Sequence, residues 1–379
     1  MTTAGRAGLQ ISRGEVPVTR RPLAARPLRT TAGALGIGMA LMLMLLLNGL
    51  WSGVQERATI YEDHLDADLV VVPAETGSLF ADPGVLPADT VATVTRTPGV
   101  DGAFPLRTMY SIVELPHGKA AVAAVASDPT GPGGPWSFAA GRAPQTSDEV
   151  ALDRLFAEQH GLAMGDRLPI LGHPMRVVGL TEDTAMFMTP LVFVTEQAMT
   201  EMLRAGDTTG SVLVTTGDPA AVADRLREQG LNVRTPEQLH DSALEQATKV
   251  YGSPVRLMVA VAFAAGTLIV ALVAYTRVTE QQGDLGVLKA LGATPARIRR
   301  IAVTETVILT ILGVLAGVLL LLATREVLAW WRPAFPVVLT GDSVTRTAVA
   351  AAVMALLAAW LPARRLAKLD AASAFRSGT

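Results

Sequence analysis

Four charge-free apolar runs, at 30–55, 257–276, 306–324 and 347–363, constrain this chain more than any other feature. A helix needs about 20 apolar residues to cross a hydrocarbon core, and each run meets or approaches that length. The chain is 50% hydrophobic and 17% charged, with a mean hydropathy of +0.37, which places it with membrane proteins and not with soluble enzymes. The expected fold is an integral membrane α-helical protein: four transmembrane helices, with a mixed α/β extracytoplasmic domain between the first and the second. The first run is longer than a signal-peptide core, and no small-x-small cleavage site follows it, so it reads as an uncleaved anchor.

Basic residues set the orientation, because short positively charged flanks stay inside. Residues 1–29 carry six arginines and one acid, 277–305 five basic residues and three acids, and 364–379 four and one. These are the expected cytoplasmic N-terminal segment, loop and tail. The intervening 56–256, with 14 basic and 27 acidic residues, is the expected outer domain, and 325–346 a short outer loop. The chain has no cysteine, so that domain folds without disulfides. Its 28 arginines against four lysines point to a GC-rich bacterial genome, and its setting to the cell membrane.

Within 56–256, β-branched or apolar runs predict strands at LVVV after Asp68 and at 110–115, 120–126, 175–180, 190–195 and 211–215. Apolar spacing of three and four predicts helices at 149–160 and 219–229. The glycine- and proline-dense 127–136 is a loop, without the lysine and helix start of a phosphate cradle. In 185–194, methionines adjoin aromatics, a composition suited either to a buried strand or to an apolar ligand.

No reaction chemistry emerges. The five histidines are scattered without metal-binding spacing, and neither a nucleophile elbow nor G-x-x-x-x-G-K-[ST] is present. The chain is expected to be non-catalytic, without cofactor or metal and without nucleic acid as a partner. Nucleotide energy, if used, is bound by another chain.

The inner segment 277–305 is a shaped corner. Leu285, Leu288 and Leu291 share one helical stripe, Gly292 supplies a stop, and Thr294 followed by Pro295 reads as the cap and first turn of a new helix. An amphipathic turn on the lipid surface would explain Arg297, Arg299 and Arg300, but a partner-binding element explains the abrupt stop as well. Glu305, the one acid near the inner edge of a span, is either a partner for a basic residue on a neighbouring helix or a solvated interface group. Gly313 and Gly317 form a G-x-x-x-G that lets helices approach closely.

The run E-x-x-x-D-L-G-V-L-K-A-L-G-A-T from Glu280 to Thr294, followed by Ile298 and Glu305, resembles the cytoplasmic loop of FtsX/MacB-type (LolC/DevC-like) ABC transporter permeases. Leu361–Arg376, with Arg364, Arg365 and Lys368, is similar to their closing basic helix, and 141–180 to their outer domain, with Gly165-Asp166 and Val177-Val178-Gly179. The resemblance implies that Glu280, Asp284, Leu285, Gly286, Leu288, Lys289, Leu291 and Gly292 couple to a separate ATPase holding ATP and Mg. It further implies a second permease chain, identical or not, an extracytoplasmic adaptor, and contact with membrane lipid. The implied function is transmission of ATPase-driven motion to the outer domain, for export or extraction of lipoprotein, lipid, peptide or drug. The alternative is a signalling subunit that regulates a cell-wall hydrolase or division; an outer domain of about 200 residues favours export.

Overall fold

The computed structural model describes residues 27–74, 76–81, 83–115, 118–280, 293–331 and 338–367. These divide into two compact units. One comprises the described parts of Met1–Leu46, Val259–Ala323 and Val344–Thr379; the other comprises Leu47–Met258 and Thr324–Ser343.

The first unit is helical. It contains most of α1 (Pro27–Ala58) and the apolar lengths of three helices of the second half, Ser253–Glu280, Pro295–Trp331 and Gly341–Ala367. Among the described residues, three stretches are long and apolar enough to cross a membrane: Thr31–Ala58, Pro236–Thr276 and Val307–Leu328. The fourth expected span, 347–363, is helical within Gly341–Ala367 but is not among these three, so the described residues show three apolar spans where four were expected. The third long helix runs without a break to Trp331, so the outer connection expected at 325–346 is partly helical at both ends.

The second unit is a mixed α/β domain. In chain order it contains β1 (Leu69–Val72), β2 (Leu86–Pro87), α2 (Asp89–Thr95), β3 (Gly102–Leu115), β4 (Gly118–Ser127), β5 (Phe138–Gly141) and β6 (Glu149–Asp153). There follow α3 (Arg154–His160), β7 (Arg167–Ile170), β8 (His173–Thr181), β9 (Leu191–Thr195) and α4 (Glu196–Leu203). The unit closes with β10 (Thr208–Thr209), β11 (Ser211–Thr215), α5 (Pro219–Glu228), β12 (Asn232–Arg234) and α6 (Pro236–Ala247). A π-helical turn, Thr248–Gly252, leads into α7, Ser253–Glu280; the remaining helices, Pro295–Trp331 and Gly341–Ala367, are α8 and α9.

The main sheet runs β12-β1-β11-β3-β4-β9-β6-β8-β5, and β7 pairs with both β3 and β8. The bridge Val113↔Ile170 therefore closes β3-β4-β9-β6-β8-β7 into a ring of six strands, while the longer β3 also feeds the open sheet with β11, β1 and β12. Side-chain alternation assigns the cores. On β4, Val122, Ala124 and Ala126 point into the ring with Leu152, Leu168, Ile170 and Val192, whereas Ala123 and Val125 point outward against Tyr61, Phe80 and Phe193. On β1, Leu69 and Val71 meet α2 and α5 through Val94, Val222 and Leu226, and Val70 and Val72 face the opposite layer. With both faces covered, β1 and β9 read as uninterrupted apolar runs.

The stretch 149–160, expected as one helix, is half strand. Glu149–Asp153 is buried throughout, paired to β8 on one side and β9 on the other; Asp153 then caps α3, its carboxylate accepting the Phe156 N–H at 3.1 Å. Tertiary pairing overrides the helical periodicity of EVALDRLF.

Candidate functional site

The sequence-predicted site residues begin at the corner between α7 and α8. Glu280 is the last residue of α7, and α8 opens at Pro295, where Thr294 Oγ1 accepts the Arg297 N–H at 3.4 Å. The cap and the first-turn proline expected there are thus formed. Asp284, Leu285, Gly286, Leu288, Lys289, Leu291 and Gly292 lie outside the described residues, as does Lys368. Glu305 belongs to α8, and Arg364 and Arg365 to the last turn of α9.

Inside the helical unit, α1 is the central member. Ala34, Ile37, Leu41, Met44 and Leu45 form a buried stripe at three- and four-residue spacing. Gly313 and Gly317 of α8 receive it: a Cβ at Gly313 would stand 2.8 Å from Ile37 Cβ, and one at Gly317 2.9 Å from the Gly38 carbonyl oxygen. Gly38 is equally constrained, with the Gly317 N 3.0 Å and the Gly313 O 3.1 Å from where its Cβ would be. The two backbones touch, and only glycine permits it. A second tight point joins α7 to α1 and α9, where a Cβ at Gly266 would meet Met354 Sδ at 2.8 Å and Ala40 Cβ at 3.2 Å. Gly38 was not singled out in the sequence, although the cluster Gly33, Gly36 and Gly38 in an apolar run is the signal that marks it.

In the outer unit, the segment leaving α1 is locked into the domain. Tyr61 is fully buried, donates its hydroxyl to the Gly133 carbonyl at 2.9 Å and sets its ring edge-on to Phe80 at 5.3 Å. Asp63 pairs with His240 of α6 at 2.7 Å, and His64 stacks on Trp136 at 4.4 Å. Glu62 is 2% exposed, and its Oε2 has no hydrogen-bond partner among the described residues. Burial, reinforced by the neighbouring Asp63, pushes its carboxyl up to about 8 against the opposing effect of a backbone hydrogen bond. Burial likewise pushes the Tyr61 hydroxyl up. Glu149 shows the opposite behaviour: Arg142 grips it in a two-pronged fork at 2.6 and 2.7 Å, Arg176 and the Gln145 N–H add bonds at 2.8 and 3.0 Å, and its carboxyl falls to about 2.

A cavity of about 290 Å³ opens beside the ring, between α3 and the turn 183–190. Arg57, near the end of α1, lies in its wall, donating to Asp183 Oδ1 at 3.4 Å and to the Ala185 carbonyl at 3.3 Å. The methionine-bearing stretch 185–194 divides here: Leu191–Val194 form a buried strand, while Met186 and Met188 line the cavity.

Taken together, these features define a multi-pass membrane protein with a mixed α/β extracytoplasmic domain between its first and second long helices in the chain. Residues 256–371 match the model of the FtsX-like permease C-terminal domain, and residues 30–229 that of the MacB-like periplasmic core domain. The chain belongs to the FtsX/MacB-type family of ABC transporter permeases. An ABC transporter permease of Mycobacterium tuberculosis, found in strains H37Rv and CDC 1551, is 26% identical over 358 residues, covering 94% of this chain and 97% of its own. The periplasmic region of MacB from Actinobacillus actinomycetemcomitans aligns with a TM-score of 0.37 at 12% identity, over 47% of this chain and 93% of that one. The extracellular domain of the noncanonic ABC-type transporter YknZ from Gram-positive bacteria aligns with a TM-score of 0.34 at 12% identity, over 45% and 98%.

Proposed function

We propose that this chain is the non-catalytic permease subunit of an ABC transporter in a bacterial cell membrane, and that it carries ATPase-driven motion outward to drive export or extraction of a hydrophobic or amphipathic substrate. Four spans place both termini and the 277–305 corner inside, where a separate ATPase with ATP and Mg grips Leu285, Leu288, Lys289 and Leu291. A second permease chain completes the complex, and the outer domain receives the work directly or through an adaptor.

The continuity of the helices is what supports this reading. Helix α8 starts at the capped Thr294-Pro295 corner, runs unbroken past Gly313 and Gly317, and there touches the backbone of α1. Helix α1 is itself unbroken from Pro27 to Ala58, and the residues after it are the ones buried in the outer domain. Rigid helices in close contact move as bodies, so a push at the inner corner would be carried into α1, whose chain continues into the outer domain.

The test is affinity purification of the full chain from its own membranes in mild detergent, with Leu288→Asp alongside. A Walker-motif ATPase should accompany the wild-type chain and be lost from the variant, because a carboxylate would interrupt the apolar stripe. Retention of the ATPase and of its stimulation by the variant would overturn the coupling assignment.

A further inference from the structure

The outer unit carries an exposed apolar patch that its own core does not use. Tyr110 and Ile112 project from the same outward face of β3, and Ile112 sits opposite Ala121 of β4. Ala121, Met186 and Met188 share the wall of the 290 Å³ cavity. Phe187 sets its ring edge-on to Tyr251 at 5.4 Å, and Tyr251 and Val250 are themselves exposed. The cavity thus links Ile112, through its partner Ala121, to the 186–188 turn that reaches Tyr251. Met188, 61% exposed, is held at a φ of +57°, a conformation that long side chains rarely adopt.

Its position identifies what it meets. Arg57 is the penultimate residue of the apolar stretch Thr31–Ala58, and Val250 and Tyr251 lie within Pro236–Thr276, which becomes the second candidate span. Residues at the ends of spans stand at the height of lipid headgroups, where Tyr and Arg serve as interfacial anchors. We infer that this patch and cavity form a docking site for a membrane phospholipid, with an acyl chain against Met186, Met188 and Ile112 and an anionic headgroup phosphate on Arg57.

The chemistry of the cavity fits that occupant. The apolar lining is methionine, leucine, phenylalanine and alanine, which accept a flexible chain, and Gln159 and His160 add polar groups beside Arg57. Arg57 has five donors in a fork suited to phosphate, and its bond to Asp183 is long, with the acid 78% exposed. Such a solvent-exposed pair is worth little and exchanges readily for a phosphate. Asp153, the other acid in the wall, is already committed to capping α3 and to the Thr184 hydroxyl at 3.4 Å. The proposal deepens the transport reading by naming the lipid leaflet as the medium that the outer domain works against, and it does not depend on the ATPase.

The full-length chain is reconstituted without ATPase in vesicles of phosphatidylglycerol or phosphatidylcholine, with a photo-crosslinking phenylalanine analogue in place of Met188, and adducts are weighed by mass spectrometry. The control is the same analogue at Val85, equally exposed at 63% beside β2, whose Leu86 packs on the α2–α5 side of the sheet. Phospholipid adducts should form at 188 and not at 85, and Arg57→Gln should lower the phosphatidylglycerol yield about fivefold, the effect of one interfacial cation. Asp183→Asn should raise it, since Arg57 is then released. Absence of lipid adducts at 188, or equal adducts at 85, would refute lipid docking. Equal capture of both lipids, or a fall in Asp183→Asn matching that in Arg57→Gln, would refute the phosphate assignment. None of these outcomes bears on whether an ATPase binds at Leu288.

Discussion

Replacing Glu62 with glutamine should change how the stability of the outer unit depends on pH. A carboxyl that titrates near 8 when folded and near 4.5 when exposed takes up a proton on folding. Its contribution is therefore fully present below 4.5, declines as pH rises, and is gone above 8; the whole span is worth about 5 kcal/mol at 1.4 kcal/mol per pH unit. Glutamine keeps the shape of the neutral acid and cannot ionise, although its buried amide costs about 1–3 kcal/mol if its N–H groups find no acceptor. Thermal unfolding of the full chain in detergent micelles, at about pH 5, 7 and 9, separates the two effects. The wild-type midpoint should fall from pH 5 to pH 9, whereas that of Glu62→Gln should stay level and, at the alkaline end, exceed the wild type by about 5–10 °C. Parallel pH profiles for the two proteins would show that Glu62 reaches water in the folded chain, and the reasoning would fail.

Two further predictions rest on other parts of the molecule. Glu149 is held well below the ordinary range by Arg142 and Arg176, so its contribution is present above about 4.5 and lost as pH falls towards 2; Glu149→Gln should lower the unfolding midpoint near neutral pH and flatten the acid limb of the same profile. Gly313→Leu places a side chain where Ile37 already stands and should cost about 1–3 kcal/mol of helix packing. If the proposed coupling runs through this contact, the ATPase should still co-purify with the variant while transport is lost, and unchanged transport would show that the α1–α8 contact transmits nothing.

Parts of this fold are legible in the sequence because single local facts decide them. Twenty residues without a charge admit few readings, and so do LVVV and LVFV, strands covered on both faces. The corner at Thr294-Pro295 is legible for the same reason: a cap and a first-turn proline act within four residues. What misleads is local pattern that distant partners overrule. EVALDRLF has helical spacing, yet the bonds from Arg142 and Arg176 to Glu149, and the ladders to β8 and β9, hold its first half extended. The exposed edge strand Phe138–Gly141 has no buried face and so gives no periodic signal.

The functional residues divide along the same line. Gly313 and Gly317 announce a close contact but not its partner, because the pairing with Gly38 joins positions about three quarters of the chain apart. Glu62 looks, in Tyr-Glu-Asp-His, like one more solvated acid after a span; only the packing of Tyr61, Phe80 and α6 around that turn removes its water. Burying a carboxyl there has a mechanical consequence. The residues that follow α1 are held in the outer domain by the Tyr61–Gly133 bond and the Asp63–His240 pair, against a cost of burying Glu62 that grows as the pH rises and its carboxyl ionises. In the proposed coupling, a joint held in this way would carry a push along α1 into the residues that follow it instead of fraying.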